Sequence, residues 1–498
     1  MEIAKIINQD NLASSRQNAA WDVRNSIGNY ATLVCSHFAS AFFSLISVWL
    51  ITRAIGNVGY GGVVAIIGAS SLAQIFVNWT GVALVRYGVE EFTRTGRINE
   101  TFWARSLILA VNSMVILSFY WLWLPILLKN LKLSLDVSLL VIIHFIVTAS
   151  WVHIQQSLQA AKLPRFLGAL LATEKLLVFV MLGVLSIGNC LSNRSAITSI
   201  VAVAVVLNIV GLIRLHKLIV PVVFKAEWGK TLLRFSLPMI PFSIFGYFAG
   251  NYLDAIFILH YLTSADLGIY SLAYQAMGIF MQFPVLAGSL ILPLFVTLKT
   301  QHNITAVESY IQNVLPFAVM IWGTCCVGFA TISSFLLPLV FSSEFDQSSE
   351  LLVILTMSAC LSAPMLLGYG PLINAHSATI ISAALNIALA ITNLIGNIIL
   401  IPRFGLVGSA WATNGAYAVS LIVTYMLLQH RHPIRDDWTL ISVLPTILGL
   451  SVAVWYGSVL LALPITLLLS LLLIAWYRDS LDKTFRTLAI FRSPNSVA

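Results

Sequence analysis

The residues able to do chemistry in this sequence are few, and most stand inside apolar runs. Asp254 follows Ser243, Tyr247 and Asn251 at steps of three and four, so all four share one helical face. Ser71, Gln74, Asn78 and Gly81 step the same way, as do Ser271, Gln275, Gly278 and Gln282. Further stripes are His144, Thr148, Trp151 and Gln155, and Ser382, Asn386, Asn393 and Asn397. Polar side chains are costly in lipid and usually face a cavity or a neighbouring helix. Each stripe therefore either joins packed helices by hydrogen bonds or lines a path for a polar substrate.

Intramembrane charge is scarcer. Glu174 and Lys175 are adjacent and Asp254 stands alone, which makes Glu174 and Asp254 the candidates for ion coupling. Neighbours on a helix differ by about 100°, so Glu174 and Lys175 are not expected to face each other. One is free to face a lumen while the other pairs across helices, or Lys175 snorkels to the surface. His144, His153, His260 and His376 either relay protons or rest on neighbouring carbonyls. Prolines 238, 241, 284, 293, 364 and 371 either kink their helices or let them bend as gates.

No nucleotide loop, zinc spacing, nucleophile elbow or dinucleotide fingerprint is present, so neither an enzyme nor a bound cofactor is expected. The five cysteines form no metal spacing and no disulfide framework.

The elements that must position these residues are membrane spans. The chain has 498 residues, 59% hydrophobic and 9% charged, whereas a soluble domain carries about 25% charged residues. Backbone groups in lipid must be satisfied within each segment, so continuous apolar runs of about twenty residues predict an all-α integral membrane protein with about fourteen spans. A polar tail at 1–29 precedes six spans over 30–217. A basic connector at 218–235 leads to six more over 236–430, two further spans over 439–477 and a tail at 478–498. The first twenty-five residues lack an apolar core, so no cleavable signal peptide is expected.

The formal charge of +8 reflects topology rather than nucleic acid, because the basic residues lie between spans. With the amino terminus in the cytoplasm, only Arg53, Lys129, Lys132, Arg194 and Arg403 of the 27 Lys and Arg fall in outer turns. That bias places both termini in the cytoplasm. A repeat is also visible. ITRAIGNVGYG joins spans 1 and 2, and YLTSADLGIYS joins spans 7 and 8. Both copies begin on an odd-numbered span, so the repeat is parallel and predicts two facing lobes working by alternating access.

Three stretches carry a family resemblance. Ala31 to Glu91 holds ITRAIGNVGYG and GVALVRYGVEEF. Leu237 to Gln275 holds a proline-rich entry, the intramembrane Asp254 and a Gly-Ile-Tyr turn. Leu385 to Thr413 holds an Asn-rich helix and an IPRFG turn. The chain resembles the polysaccharide transporter (Wzx-type) flippases of the multidrug/oligosaccharidyl-lipid/polysaccharide exporter superfamily. The resemblance implies two six-helix lobes around a V-shaped cavity lined mainly by spans 1, 2, 7 and 8. It implies a bacterial cytoplasmic membrane and an undecaprenyl-diphosphate-linked oligosaccharide as substrate. That oligosaccharide would be an O-antigen, capsule or exopolysaccharide unit. A polysaccharide polymerase and a chain-length regulator are implied partners beside the phospholipid bilayer.

By position, Asp254 matches the family's span 7 aspartate, and Arg53 and Arg403 match its outer-turn basic residues. Some relatives carry an arginine deep in span 1, where this chain has Cys35 and His37. The diphosphate contact therefore falls to Arg24, Arg53, Arg86 or Lys175, with Gln74, Asn78, Asn251, Gln275 and Gln282 as further cavity candidates. A drug or cation antiporter of the same fold, and a lipid II flippase, are the alternatives. No Asp or Glu occurs between residues 25 and 89, which counts against the antiporter.

Overall fold

A computed structural model describes residues 2–237, 240, 251–300, 304–375, 379–431 and 438–476; side chains before Thr32, and those at 33, 251, 252, 293, 297, 300, 304, 379, 380, 382, 383 and 431, lie outside that description. Among the described residues every regular element is helical. The first lobe begins with α1 (Glu2–Asn78) and α2 (Gly81–Thr95), followed by α3 (Asn99–Ser118) and α4 (Tyr120–Asn130). It ends with α5 (Ser138–Ala160), α6 (Pro164–Ile187) and α7 (Asn193–Ile219). The connector holds α8 (Ala226–Ser236). The second lobe comprises α9 (Asn251–Tyr261), α10 (Ser264–Phe280), α11 (Gln282–Thr300), α12 (Ile304–Ser309) and α13 (Leu315–Val340). It continues with α14 (Asp346–Leu361), α15 (Gly370–Ala375) and α16 (Thr379–Arg431). The last pair is α17 (Thr439–Tyr456) and α18 (Ala462–Trp476).

Eleven stretches among the described residues are long and apolar enough to cross a membrane. Val34–Asn78 has 45 residues and Ala384–His430 has 47. At 1.5 Å per residue each is about twice the thickness of a ~30 Å hydrocarbon core. Each is broken at a glycine with positive φ: Gly56 (φ 68°, ψ −172°) and Gly405 (φ 59°, ψ −137°). A side chain at either φ would be strained, so glycine is the residue that lets two spans join through so short a turn. The span that opens the second six is described continuously only from Asn251 onward; Pro238, Pro241, Ser243, Tyr247, His376 and the side chain of Ser382 lie outside the described residues. The exterior is apolar, as lipid requires: Ile187, Leu339, Trp455 and Trp476 are each more than 80% exposed.

The repeated motifs meet face to face. A Cβ on Gly61 would stand 1.8 Å from the Ser264 carbonyl oxygen, and one on Gly268 would stand 2.2 Å from the Asn57 carbonyl oxygen. The glycine of each copy thus admits the backbone of the other. The α9–α10 turn is fixed by a capping box in which the Asp266 carboxylate accepts from the Thr263 N–H at 2.9 Å and Thr263 Oγ1 accepts from the Asp266 N–H.

The connector is docked on the first lobe. Lys225 Nζ and Trp228 Nε1 both donate to the Glu100 carboxylate, at 2.5 and 2.7 Å. Leu232 packs with Ala83 and Ala104, and Phe235 meets Tyr87 edge-on. The proline-bearing span near 349–374 contains a π turn at Met365–Tyr369, between Pro364 and Pro371. A second π turn at Tyr310–Val314 is tied to it, since Tyr310 Oη donates to the Leu367 carbonyl at 3.0 Å. Helices α17 and α18 lie beside the second lobe, against α13 and α14. Gly323 faces Thr446 there, and Gly449 faces Thr466.

Candidate functional site

Asp254 is fully buried on α9, and its partners come from the second lobe alone. Tyr270 Oη donates to Oδ2 at 2.6 Å and Asn397 Nδ2 donates to Oδ1 at 2.6 Å. Thr413 Oγ1 stands 3.3 Å from Oδ2. The second N–H of Asn397 goes to Asn393 Oδ1, and Ser409 Oγ donates to Asn397 Oδ1 at 3.1 Å. No lysine or arginine pairs with Asp254 among the described residues. The cluster is a carboxylate held by two hydroxyl donors and one amide N–H, with no cation beside it among the described residues, so its charge is one that an incoming proton or cation would neutralise.

Its assembly is local. Asn393 and Asn397 share a face before the Gly405 break of α16, and Ser409 and Thr413 share a face after it. The break folds the two pairs together. Asn393 and Asn397 belong to the stripe that also holds Ser382 and Asn386, but Tyr270, Ser409 and Thr413 were not among the sequence candidates. The i, i+4 pairs on either side of the IPRFG turn were the available signal.

The inter-lobe contacts lie elsewhere. Tyr60 Oη donates to Gln275 Oε1 at 2.8 Å, and Gln275 Nε2 donates to Ser44 Oγ at 2.9 Å. Toward the Gly56 end, Glu344 Oε2 accepts from the Asn57 N–H at 3.0 Å. Trp49 Nε1 donates to the Val340 carbonyl at 2.9 Å. Toward the other end, Phe38 and Phe283 meet with ring centroids 4.8 Å apart. Gln275 is thus a bridge between lobes, and half-buried Gln282 adjoins the ring contact through Phe283.

Other candidates are placed differently from expectation. Gln74 Nε2 donates to the Phe145 carbonyl at 3.1 Å, and Asn78 Nδ2 donates to Gln74 Oε1. That stripe is bonded inside the first lobe, beside the Ser70–His144 contact at 2.6 Å. Glu174 and Lys175, expected to diverge, form an ion pair at 2.7 Å, because the four-carbon lysine stem folds back along α6. Trp151 Nε1 holds the other Glu174 oxygen at 2.8 Å. Arg53 is exposed and lies over the Trp49 ring at 5.7 Å. Arg86 lies over Phe235 at 5.0 Å, and Arg403 is exposed at the Gly405 break. The side chains of Arg24 and Asn251 fall outside the described residues.

Sequence reasoning missed a buried cation. Arg105, one of the basic residues that the positive-inside reading leaves on the cytoplasmic side, is fully buried because α3 already starts at Asn99 and carries it inside the helix. Its Nη1 donates to His153 Nδ1 at 2.7 Å, which leaves His153 Nε2–H to donate to Ser106 Oγ at 2.9 Å. Nearby, the buried Glu91 carboxylate accepts from the backbone N–H groups of Glu100 and Thr101, both at 2.9 Å, and so caps α3.

Residues 26–299 match the profile of a family described as polysaccharide biosynthesis proteins. A probable low-salt glycan biosynthesis flippase of Haloferax volcanii is 28% identical over 241 residues, 48% of this chain and 50% of that protein. The chain thus spans about half the length of this curated relative. The lipid II flippase MurJ, in an inward closed conformation, superposes with a TM-score of 0.67 at 15% identity. That match covers 90% of this chain and 99% of MurJ. A MATE multidrug transporter, DinF-BH, superposes at 0.57 with 16% identity, over 82% of this chain and 95% of the other. At such identities the likeness shows the fold alone, the one that MurJ and DinF-BH share.

Proposed function

This chain belongs to the polysaccharide biosynthesis protein family, and on that premise we propose that it flips a lipid-linked oligosaccharide across the cytoplasmic membrane by alternating access. The observation that carries the reading is the seam between the repeats. Its polar part is close glycine contacts and single hydrogen bonds, each a contact that can break and re-form while both lobes stay folded. Both termini lie in the cytoplasm in this reading, and the Gly56 end faces outward. The substrate is an undecaprenyl-diphosphate-linked unit, whose diphosphate needs cationic contacts in a low-dielectric lumen. Arg86 serves on the inner side and Arg53 on the outer. Lys175 serves between them once the diphosphate displaces Glu174. A polymerase and a chain-length regulator receive the product.

Asp254 couples the cycle to an ion. A proton or monovalent cation taken up there neutralises the carboxylate and changes the bonds joining α9 to α10 and α16. Glu174, held by both Trp151 and Lys175, is the lesser coupling candidate.

The test is reconstitution in proteoliposomes with labelled undecaprenyl-linked glycan beside a cationic dye. We expect glycan flipping without dye efflux. Asp254→Asn, which keeps the shape of the side chain, is expected to insert normally and lose at least tenfold in flipping rate. Dye efflux without glycan flipping overturns the proposal in favour of the antiporter. Flipping of lipid II alone would favour the lipid II reading.

A further inference from the structure

A cavity lies where the last two helices join the second lobe. It has a volume of about 540 Å³ and opens between α13, α14 and the α17–α18 turn. That size falls within the range of small-ligand sites. Its polar groups include Ser334, Ser349, Glu350 and Ser458, and Phe335 and Val454 are among its apolar walls.

The polar groups share one character. Ser334 Oγ donates to the Thr331 carbonyl at 2.8 Å, and Ser349 Oγ donates to the Asp346 carbonyl at 2.7 Å. Their protons are spent on their own helices, so both offer lone pairs to the cavity. Glu350 is exposed and adds a carboxylate that no lysine or arginine pairs among the described residues. The surrounding sequence is equally one-sided. No Lys or Arg occurs between Lys299 and Arg403, or between Arg435 and Arg478, while Glu344, Asp346 and Glu350 cluster at this end. An anion is repelled here, and a cation rich in N–H donors is matched.

The mouth has the marks of a membrane–water interface. Trp455 is 86% exposed and Tyr456 70%, on the turn next to Val454, and Leu339 at 82% carries the apolar surface onward along α13. Exposed Trp and Tyr settle at headgroup depth. We propose that this cavity binds the ammonium head of an amphiphile, with Glu350 and the serine oxygens on the ammonium and Phe335 and Val454 on the adjoining methylenes. An aminophospholipid and a free alkylammonium share this chemistry. The inference does not rest on the transport reading.

The experiment is native mass spectrometry of the full-length protein with phosphatidylethanolamine, phosphatidylglycerol or octylammonium. We expect phosphatidylethanolamine to bind about tenfold tighter than phosphatidylglycerol, or about 1.4 kcal/mol. Glu350→Gln, which keeps the volume, should abolish that preference. Ser334→Phe, which fills the cavity and gives up only a bond within its own helix, should abolish binding of both amines. If octylammonium binds in a Glu350-dependent way and phosphatidylethanolamine does not, the site takes a soluble amine. Equal binding of the two lipids, with octylammonium indifferent to Glu350, overturns the proposal. The comparison of lipids on the unaltered protein needs no variant to fold.

Discussion

Replacing Gly61 by alanine should pull the lobes apart. The new methyl would sit 1.8 Å from the Ser264 carbonyl oxygen, 2.8 Å from its carbon and 3.1 Å from the Gly268 nitrogen. All three are backbone atoms, so no side chain can swing aside to make room. Overpacking of this kind costs about 1–3 kcal/mol. The clash exists only while the repeats touch, so the cost falls on the closed seam and leaves each lobe intact. The closed population should therefore fall by roughly 5- to 150-fold relative to the open one. Spin labels at Val58→Cys and Leu339→Cys, in a background without native cysteines, span the seam. These residues are 60% and 82% exposed, so the labels themselves disturb little. Gly61→Ala should lengthen and broaden the distance distribution by pulsed electron resonance. Gly278→Ala, whose methyl would meet nothing within 4 Å, should not change it. If Gly61→Ala elutes as a single folded species and leaves the distribution unaltered, the seam is not a gate.

Three further outcomes follow from the same structure. Cys190 is exposed at the α6–α7 turn, so in proteoliposomes or cells a membrane-impermeant maleimide should label it from the outer side only; labelling from the inner side would invert the proposed orientation. Lys175→Ala should insert normally and lose translocation, whereas Glu174→Gln combined with Lys175→Met should recover any lost thermal stability without recovering flipping; full flipping by the pair variant would remove Lys175 from the substrate path. Arg105→Met should leave the melting temperature unchanged or raised, because it removes a buried guanidinium whose Nη2 finds no hydrogen-bond partner and whose desolvation is costly. A large fall in melting temperature would show that the His153 contact is worth more than the desolvation of the guanidinium.

The sequence was most informative where bulk hydropathy decides the outcome. Apolar runs and the Gly56 and Gly405 turns were legible because lipid leaves the backbone no choice but helix. Asp254 was legible because a carboxylate in such a run has few uses. Its surroundings were only half legible. Asn393 and Asn397 declared a face through their spacing. Ser409 and Thr413 look like any serine or threonine in a span, and Thr424, which donates to the Ser420 carbonyl of its own helix at 2.6 Å, shows how ordinary that is. Only the fold at Gly405 makes them partners. Periodicity also told that Gln74 and Asn78 share a face, but not which neighbour takes it. Arg105 was misplaced because charge near the end of an apolar run usually snorkels to water, and here α3 extends beyond the run to bury it.

The docking of α17 and α18 on α13 and α14 has a mechanical consequence. If the fourteen spans read from the sequence divide six, six and two, the second body would carry eight through the bilayer and the first six. Two bodies that rotate against each other in a viscous sheet share the motion inversely to the drag each meets. The six-span body should therefore do most of the tilting, while the larger body stays close to its resting attitude in the membrane.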